Sequence, residues 1–418
     1  VYHSNQNTLY TEAVHVKKME PVRTTLFKRG YCGSVYRIPS LIYLTDDQSF
    51  LAFAEKRSSE RDEDTEILVM RKGKWIQDAT SNNGSIQWLD MVELTTAVLG
   101  CNGCCPCCYY RPMCPCPVYE KNTRTLFLFF ICICYKTSES CQKRMGKNKA
   151  RLCHVTSNDN GQTWSEATDL TESVIGDQVA SWATFAVGPG HGIQMTDGKL
   201  VIPAYAYNIQ KSCFCIPICC NVLPYSFAFY SDDNGMTWKV GEQIHLESCE
   251  CEMAEIIDQC RKSHLYCNAR NPKGGCRVEA LCESSARNAF GMPHLATKLV
   301  DTGGGCQGSV IGFPAPKSHP DEQNADNKED RPTWLLYSHP TDKSKRIKLG
   351  IYLNRSPLNP LGWEEPWIIH HGPSGYSDLA LGENFGCLME CGSKSELEEI
   401  AFVQFSIEQV TAGRDEPN

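Results

Sequence analysis

The sequence predicts an all-β fold assembled from repeats. Three observations carry this. The pattern S-x-D-x-G-x-T-W occurs twice, at Ser157-Asn158-Asp159-Asn160-Gly161-Gln162-Thr163-Trp164 and at Ser231-Asp232-Asp233-Asn234-Gly235-Met236-Thr237-Trp238. Short apolar segments bounded by turn residues recur along the chain, and long helical periodicity is scarce. That rhythm argues for a sandwich, a barrel or a propeller.

Each box reads as a tight hairpin turn. Asp and Asn tolerate left-handed backbone angles, and Gly adopts them without steric cost. The Ser and Asp side chains can satisfy loop N–H groups, and the Trp can anchor the turn on apolar surface. The boxes start 74 residues apart, at positions 157 and 231, which leaves room for one propeller blade of about 40–50 residues plus an insertion. Residues 283–290 (ESSARNAF) resemble a worn third copy that lacks Asp, Gly and Trp.

The strands are expected in order. Ser40 to Glu55 reads as strand, turn and strand, with Thr45-Asp46-Asp47-Gln48 turning, and Glu66 to Met70 as a third strand ended by Arg71-Lys72-Gly73-Lys74. Leu126 to Tyr135 is apolar and aromatic, too short to cross a membrane, and reads as a buried strand. Further strands are expected at Lys199–Tyr207, Phe227–Ser231, Thr333–Ser338 and Leu349–Leu353. Residues 314–331 are polar and read as a surface loop, and the tail after Gln409 as frayed.

The chain has 418 residues, of which 41% are hydrophobic and 22% charged, enough for a large core. A formal net charge of −8 does not favour nucleic acid as a partner. The 25 cysteines cannot all pair within one chain, and no N-terminal segment has the three regions of a secretory signal. A reducing compartment is therefore the default. Met19-Glu20 reads as a natural start, with residues 1–18 expected to be dispensable.

Several residues carry chemistry. Arg37 stands in Tyr36-Arg37-Ile38-Pro39, Arg57 ends a strand, and Asp62 lies in an acidic cluster. Taken singly, these read as a surface strand arginine and a solvated turn. The run 101–116 includes Cys101, Cys104 and Cys107 at a spacing that suits zinc, although the prolines around it favour a loop. Cys213, Cys215, Cys219 and Cys220 sit in an apolar stretch, open to S-acylation or to plain burial. Asn83-Gly84-Ser85 and Asn354-Arg355-Ser356 match the N-glycosylation pattern but carry little weight without secretion.

In order along the chain, Tyr-Arg-Ile-Pro, the two boxes and Gly375-Tyr376-Ser377-Asp378-Leu379 resemble the exo-α-sialidases (neuraminidases) over roughly residues 30–408. Phe185 to Gly192, Gly305 to Val310 and Phe385 to Leu388 resemble the animal cytosolic and membrane-associated branch. Asn268-Ala269-Arg270, Cys276 to Leu281 and Trp367 to His370 are most similar to its plasma-membrane, ganglioside-cleaving members. The resemblance implies a six-bladed β-propeller with Asp-box turns. It would form one domain at 30–410, between an N-terminal extension (1–29) and a tail (411–418).

The resemblance also implies a site. Arg37, Arg270 and Arg346 would bind the substrate carboxylate, with Glu390 orienting the first of them and Arg57 supporting. An arginine fork meets a carboxylate in two parallel bonds that lysine cannot reproduce. Tyr376 would be the nucleophile, since a neutral phenol avoids repulsion by that carboxylate, and tyrosine is the known sialidase exception to carboxylate nucleophiles. Its ordinary pKa of about 10 requires a base. Glu250 matches that base, with Glu252 and Glu255 as nearby alternatives. Asp62 would be the general acid. Tyr205 and Tyr207, two apart on one strand face, would line the pocket for the glycerol chain, which Glu139 also reaches. Cys114 departs from the family, standing where an amide is usual.

The expected reaction is retaining hydrolysis of terminal sialic acid from gangliosides and other sialoglycoconjugates, through a sialosyl-tyrosine adduct and without metal or other cofactor. Peripheral or acyl-anchored contact with the plasma membrane is expected, with endosomal and lysosomal membranes as further locations. Two other classes stay open: a catalytically weak, lectin-like sialic-acid-binding propeller, and a zinc or redox protein built on the cysteines.

Overall fold

The computed structural model describes residues 20–31, 33–77, 84–100, 109–134, 136–210, 221–282, 289–317 and 331–413. Their architecture is all-β and propeller-like. Four sheets stand separately. The first contains Val35–Leu44, Ser49–Arg57, Thr65–Gln77 and Gly84–Trp88, with the short Val92–Glu93 beside its third strand. The second contains Tyr110–Glu120, Thr125–Cys134, Ala150–Ser157 and Thr168–Asp169. The third contains Trp182–Val187, Leu200–Ile209, Val222–Ser231 and Lys239–Val240, plus Ile193–Gln194. The fourth contains Cys251–Ile257, Ser263–Ala269, Gly275–Cys282 and His294–Asp301.

The remaining strands form one seven-stranded sheet, so the expectation of six separate blades is corrected to four separate sheets and one large one. The continuity lies in Trp367–Leu381. Its residues up to Pro373 pair with Ile347–Asn354, and its residues from Ser374 onward pair with Phe385–Cys391. At the far edge, Arg23–Lys28 pairs antiparallel with Glu399–Phe405. A segment from the N-terminal extension therefore completes the sheet that holds the end of the chain.

Strand signals in the sequence survive, mostly lengthened. The strand expected to stop at Met70 runs to Gln77, because Gly73 lets Ile86 and Trp88 lie against it and Lys72 turns inward to Asp47 and the carbonyl of Asn160. The tail after Gln409 is not frayed at once. Ser406 caps a helix at Ile407–Ala412 through a reciprocal capping box, and Val410 is buried.

The inner strands are buried at almost every position, because both faces of each sheet are covered by its neighbours. Apolar clusters fill the space between consecutive sheets, such as Phe53, Leu68 and Leu128 between the first and second, and Phe129, Ile202 and Phe229 between the second and third. Both boxes join the third and fourth strands of their sheets. In the first, Ser157 Oγ accepts from Gly161 N–H at 2.9 Å and Asp159 Oδ1 accepts from Thr163 N–H at 2.9 Å. The second repeats this at 2.9 and 2.8 Å. Asn160 and Gly161 take φ of 58° and 82°, as the turn requires. Each box tryptophan reaches the preceding sheet: Trp164 meets Phe53 edge-on, and Trp238 meets Phe127 and Phe129. The boxes thus staple neighbouring sheets.

Residues 1–18, the cysteines at 101, 104, 107, 213, 215, 219 and 220, most of the worn box at 283–290, most of the 314–331 loop and Asn83 lie outside the described residues. No disulfide joins cysteines among the described residues.

Candidate active site

β-Bulges set the site's geometry. Strand pairing slips between Arg37 and Ser40, between Lys56 and Arg57, between Met113 and Cys116, between Ile347 and Leu349, and between Ser374 and Ser377. Ile38, Cys114 and Lys348 take φ of 60°, 57° and 59° at three of these places. A bulge twists the strand and re-aims a side chain out of alternation. Arg37, Arg57, Arg346 and Tyr376 each stand in or beside one.

Around Tyr376 the contacts are dense. Its phenol donates to Glu250 Oε1, and Arg270 Nη1 donates to Glu250 Oε2 at 2.8 Å and to the Tyr376 oxygen at 3.3 Å. Arg37 and Arg346 lie over the ring, their guanidinium carbons 5.5 and 5.4 Å from its centre. Glu390 is fully buried. Its Oε1 accepts from Arg37 Nε at 2.7 Å and from Ile38 N–H at 3.0 Å, and its Oε2 accepts from Tyr376 N–H at 3.0 Å. One carboxylate therefore fixes both the first arginine and the backbone that carries the phenol.

Arg57 is buried and bonds Glu55 through Nε at 2.8 Å, while its Nη1 donates to Asp62 Oδ1 at 2.7 Å. Asp62 lies in the 3₁₀ turn Asp62–Asp64 with its side chain 58% exposed, so it meets solvent while anchored from behind. Glu55 is a functional neighbour the motif reading missed. Besides Arg57 it accepts from Cys114 N–H at 2.7 Å. Its one signal is its place two residues before Arg57, on the same strand face.

Burial, then Glu250, push the Tyr376 phenol well above its ordinary range, so it rests protonated. Burial works against the charge on Arg37 and Arg270, but Glu390 and Glu250 respectively outweigh it and raise both. Asp62 also raises Arg37, which places it in the same field. Burial, and next Glu139, raise Tyr205 and Tyr207. Their rings meet edge-on, 6.1 Å apart. Glu139 opens the helix Glu139–Met145 and pairs at 2.8 Å with Lys143, whose ammonium lies 4.2 Å from the Tyr207 ring centre. The thiol of Cys114 is buried and raised by burial and by Glu55, so it is neutral.

Neither Glu252 nor Glu255 hydrogen-bonds the Tyr376 phenol. Glu255 binds Thr196 and Ser263, at 2.7 and 2.6 Å. Glu252 lies in the core with His191 and Asp378. Those three offer ligand atoms within 4.8 Å of one another, a set that could in principle hold a metal. Their lone pairs are largely committed. Asp378 accepts from Leu41 N–H at 2.6 Å, pairs with His191 at 2.7 Å and meets Ser309, and Glu252 Oε2 meets Ser309 and Val310 N–H. Glu252 Oε1 is a buried oxygen with no hydrogen-bond partner. A cavity of about 880 Å³ lined by Tyr43, Tyr119, His191 and Phe313 contains none of the eleven residues of the expected site.

Comparison with known proteins decides the family. A BNR repeat-like domain model matches residues 48–388. Sialidase-3 of Mus musculus is 44% identical, covering 94% of this chain and 96% of its own. The chain belongs to the sialidase family. It is a glycoside hydrolase of the exo-α-sialidase class. Human Sialidase-4 is also similar, at 37% identity over 93% of this chain and 94% of its own. The fold of this sialidase also resembles the intramolecular trans-sialidase of Ruminococcus gnavus. The TM-score is 0.67 at 15% identity, covering 94% of this chain and 99% of the other.

Proposed function

We propose that this sialidase works by retention through a sialosyl-tyrosine adduct, with Tyr376 as nucleophile. The observation that carries the reading is the Tyr376–Glu250 hydrogen bond beneath Arg37, Arg270 and Arg346. The three guanidinium groups would hold the substrate carboxylate and bring the anomeric carbon over the phenol. As the phenol oxygen attacks, its proton passes to Glu250, while Asp62 protonates the departing oxygen and the glycosidic bond breaks. Asp62 then takes a proton from water. Water attacks the anomeric carbon, the bond to Tyr376 breaks, and the phenol recovers its proton from Glu250. Two inversions give retention. Tyr205, Tyr207 and Glu139 would receive the glycerol chain.

A Trypanosoma rangeli sialidase of similar fold, with TM-score 0.61 and 16% identity over 92% of this chain and 58% of that one, is described as a covalent intermediate with 2,3-difluorosialic acid. The same reagent tests this chain: the phenol oxygen displaces the C2 fluoride, so intact mass should rise by one 3-fluorosialosyl group, and peptide mapping should place it on Tyr376. Adduct on another residue, or turnover that first releases the β-anomer, would refute the reading. Lack of any turnover of an aryl α-sialoside between about pH 4 and 7 would favour the lectin-like alternative.

Gangliosides as substrates, and peripheral or acyl-anchored contact with the plasma membrane and with endosomal and lysosomal membranes, belong to the same proposal through similarity to Sialidase-3. Among the described residues no helix is long and apolar enough to cross a membrane. Carbonate extraction separates peripheral from acylated attachment. We also read the seven-stranded sheet as two blades sharing Trp367–Leu381, giving six in one domain that joins the strand Arg23–Lys28 to residues 30–410. An apolar cluster including Leu353, Trp367, Met389 and Phe405 separates its two halves as other clusters separate the other sheets.

A further inference from the structure

We propose that Asp301 is the positioning residue of the carboxylate clamp, fixing Arg270 and Arg346 together through one loop. The proposal rests on the reading of those arginines as the substrate-carboxylate site. Asp301 ends the strand His294–Asp301 and is fully buried. Its Oδ2 accepts from the N–H of Asn271, the residue after Arg270, at 2.6 Å. Its Oδ1 accepts from the N–H of Cys306 at 2.9 Å. The two oxygens thus tie the segment that carries Arg270 to the far end of the loop 302–306.

That loop holds both guanidinium groups by its carbonyls. Gly304 C=O accepts from Arg270 Nη2, and Gly305 C=O accepts from Arg346 Nη2, each at 3.1 Å. The loop also grips the segment before Arg346, since Thr302 Oγ1 donates to Lys345 C=O at 2.8 Å and Gly303 N–H to Lys343 C=O at 3.0 Å. Gly305 has φ +85°, and a Cβ there would come within 2.8 Å of Arg270 Nε. Arg270 therefore lies flat on the loop. Behind it, buried Arg277 braces the arrangement, with Nη1 3.2 Å from Asp301 Oδ2 and Nε on Asn268 Oδ1 at 2.8 Å. A fork binds a carboxylate bidentately only when its plane is held. Asp301 touches no substrate, and its effect passes through the loop.

The test compares inhibition by the planar 2,3-unsaturated derivative of sialic acid and by its methyl ester, which lacks the charge. Asp301→Asn should cut the preference for the free acid at least tenfold. Glu279→Gln, a buried change on Tyr266 and Trp363 away from the loop, should leave that ratio intact. If Asp301→Asn fails to fold because Arg277 is left uncompensated, Asp301→Asn with Arg277→Gln removes both charges, and Thr302→Val loosens the loop without touching either. The double variant should lose as much as Asp301→Asn, and Thr302→Val about fivefold, one neutral hydrogen bond's worth. Arg270→Lys is run alongside. A collapsed ratio there with an unchanged ratio in the Asp301 or Thr302 variants overturns this inference alone. An unchanged ratio in Arg270→Lys overturns the clamp, and this inference with it.

Discussion

The phenol of Tyr376 donates its hydrogen bond to Glu250, a residue 126 positions earlier in the chain. Among the described residues no other carboxylate reaches that oxygen, and Arg270 contacts both partners. The buried phenol is neutral at rest, and Glu250 is the carboxylate within its hydrogen-bond reach, the group to which the proposed mechanism passes its proton. Tyr376→Phe and Glu250→Gln should each lower kcat by about 10²–10⁴ while circular dichroism and the melting transition keep a folded propeller. Rates near wild type in either would remove the pair from the mechanism.

The arginines predict a binding effect. Arg270 is held by Glu250 and Gly304, so its fork has a fixed plane. Lysine keeps the charge and loses that plane. Arg270→Lys should raise KM for an α-sialoside about tenfold or more, the equivalent of a lost charged hydrogen bond. Lys262 stands on the exposed turn closed by the Asp258–Lys262 bonds, and Lys262→Ala should leave KM nearly unchanged. Steady-state kinetics on the two variants decide, and equal effects would discard the fork.

Asp62 predicts a dependence on the leaving group. Arg57 anchors it from the buried side while most of its side chain faces solvent, a suitable place to meet a departing aglycone. An acid helps most when the leaving oxygen is basic. Asp62→Ala should therefore lose about 10²–10⁴ in kcat/KM on a sialyl-sugar and much less on an aryl sialoside. Equal losses on both substrates would take the acid's role from Asp62.

The sequence made the scaffold legible where a local rule decided it. The boxes needed Gly and Asn at positive φ and showed them, and the short apolar runs between turns marked the buried strands. The network behind the site was not legible. Asp301 and Arg277 belong to no local pattern, because their partners stand on other strands or across loops, and Glu55 offers only its place two residues before Arg57. Choosing among Glu250, Glu252 and Glu255 also needed three dimensions. Two positions apart, Glu250 lies below the phenol and Glu252 in the core. The count of sheets escaped because one strand, Trp367–Leu381, serves two partners in succession.

The boxes predict a pH-dependent contribution to stability. Burial is the largest single influence on Asp159 and opposes its charge, but hydrogen bonds from Thr163, Ser157 and Gln162 together outweigh it and hold the carboxyl down at about 2. An unfolded aspartate titrates near 3.9. The folded value lies below the unfolded one, so the stabilisation is complete above about pH 4 and is lost as pH falls toward about 2. Asp159→Ala should lower the denaturant midpoint at pH 7 through the opened turn, and that gap to wild type should narrow between about pH 4 and 2. Trp238→Ala removes a tryptophan only 6% exposed, with no titrating group, and should cost about 3–5 kcal/mol with no such narrowing. Urea titrations of the three proteins across that window test the idea. A gap for Asp159→Ala that stays constant down to pH 2 would show that the carboxylate's charge does not hold the turn.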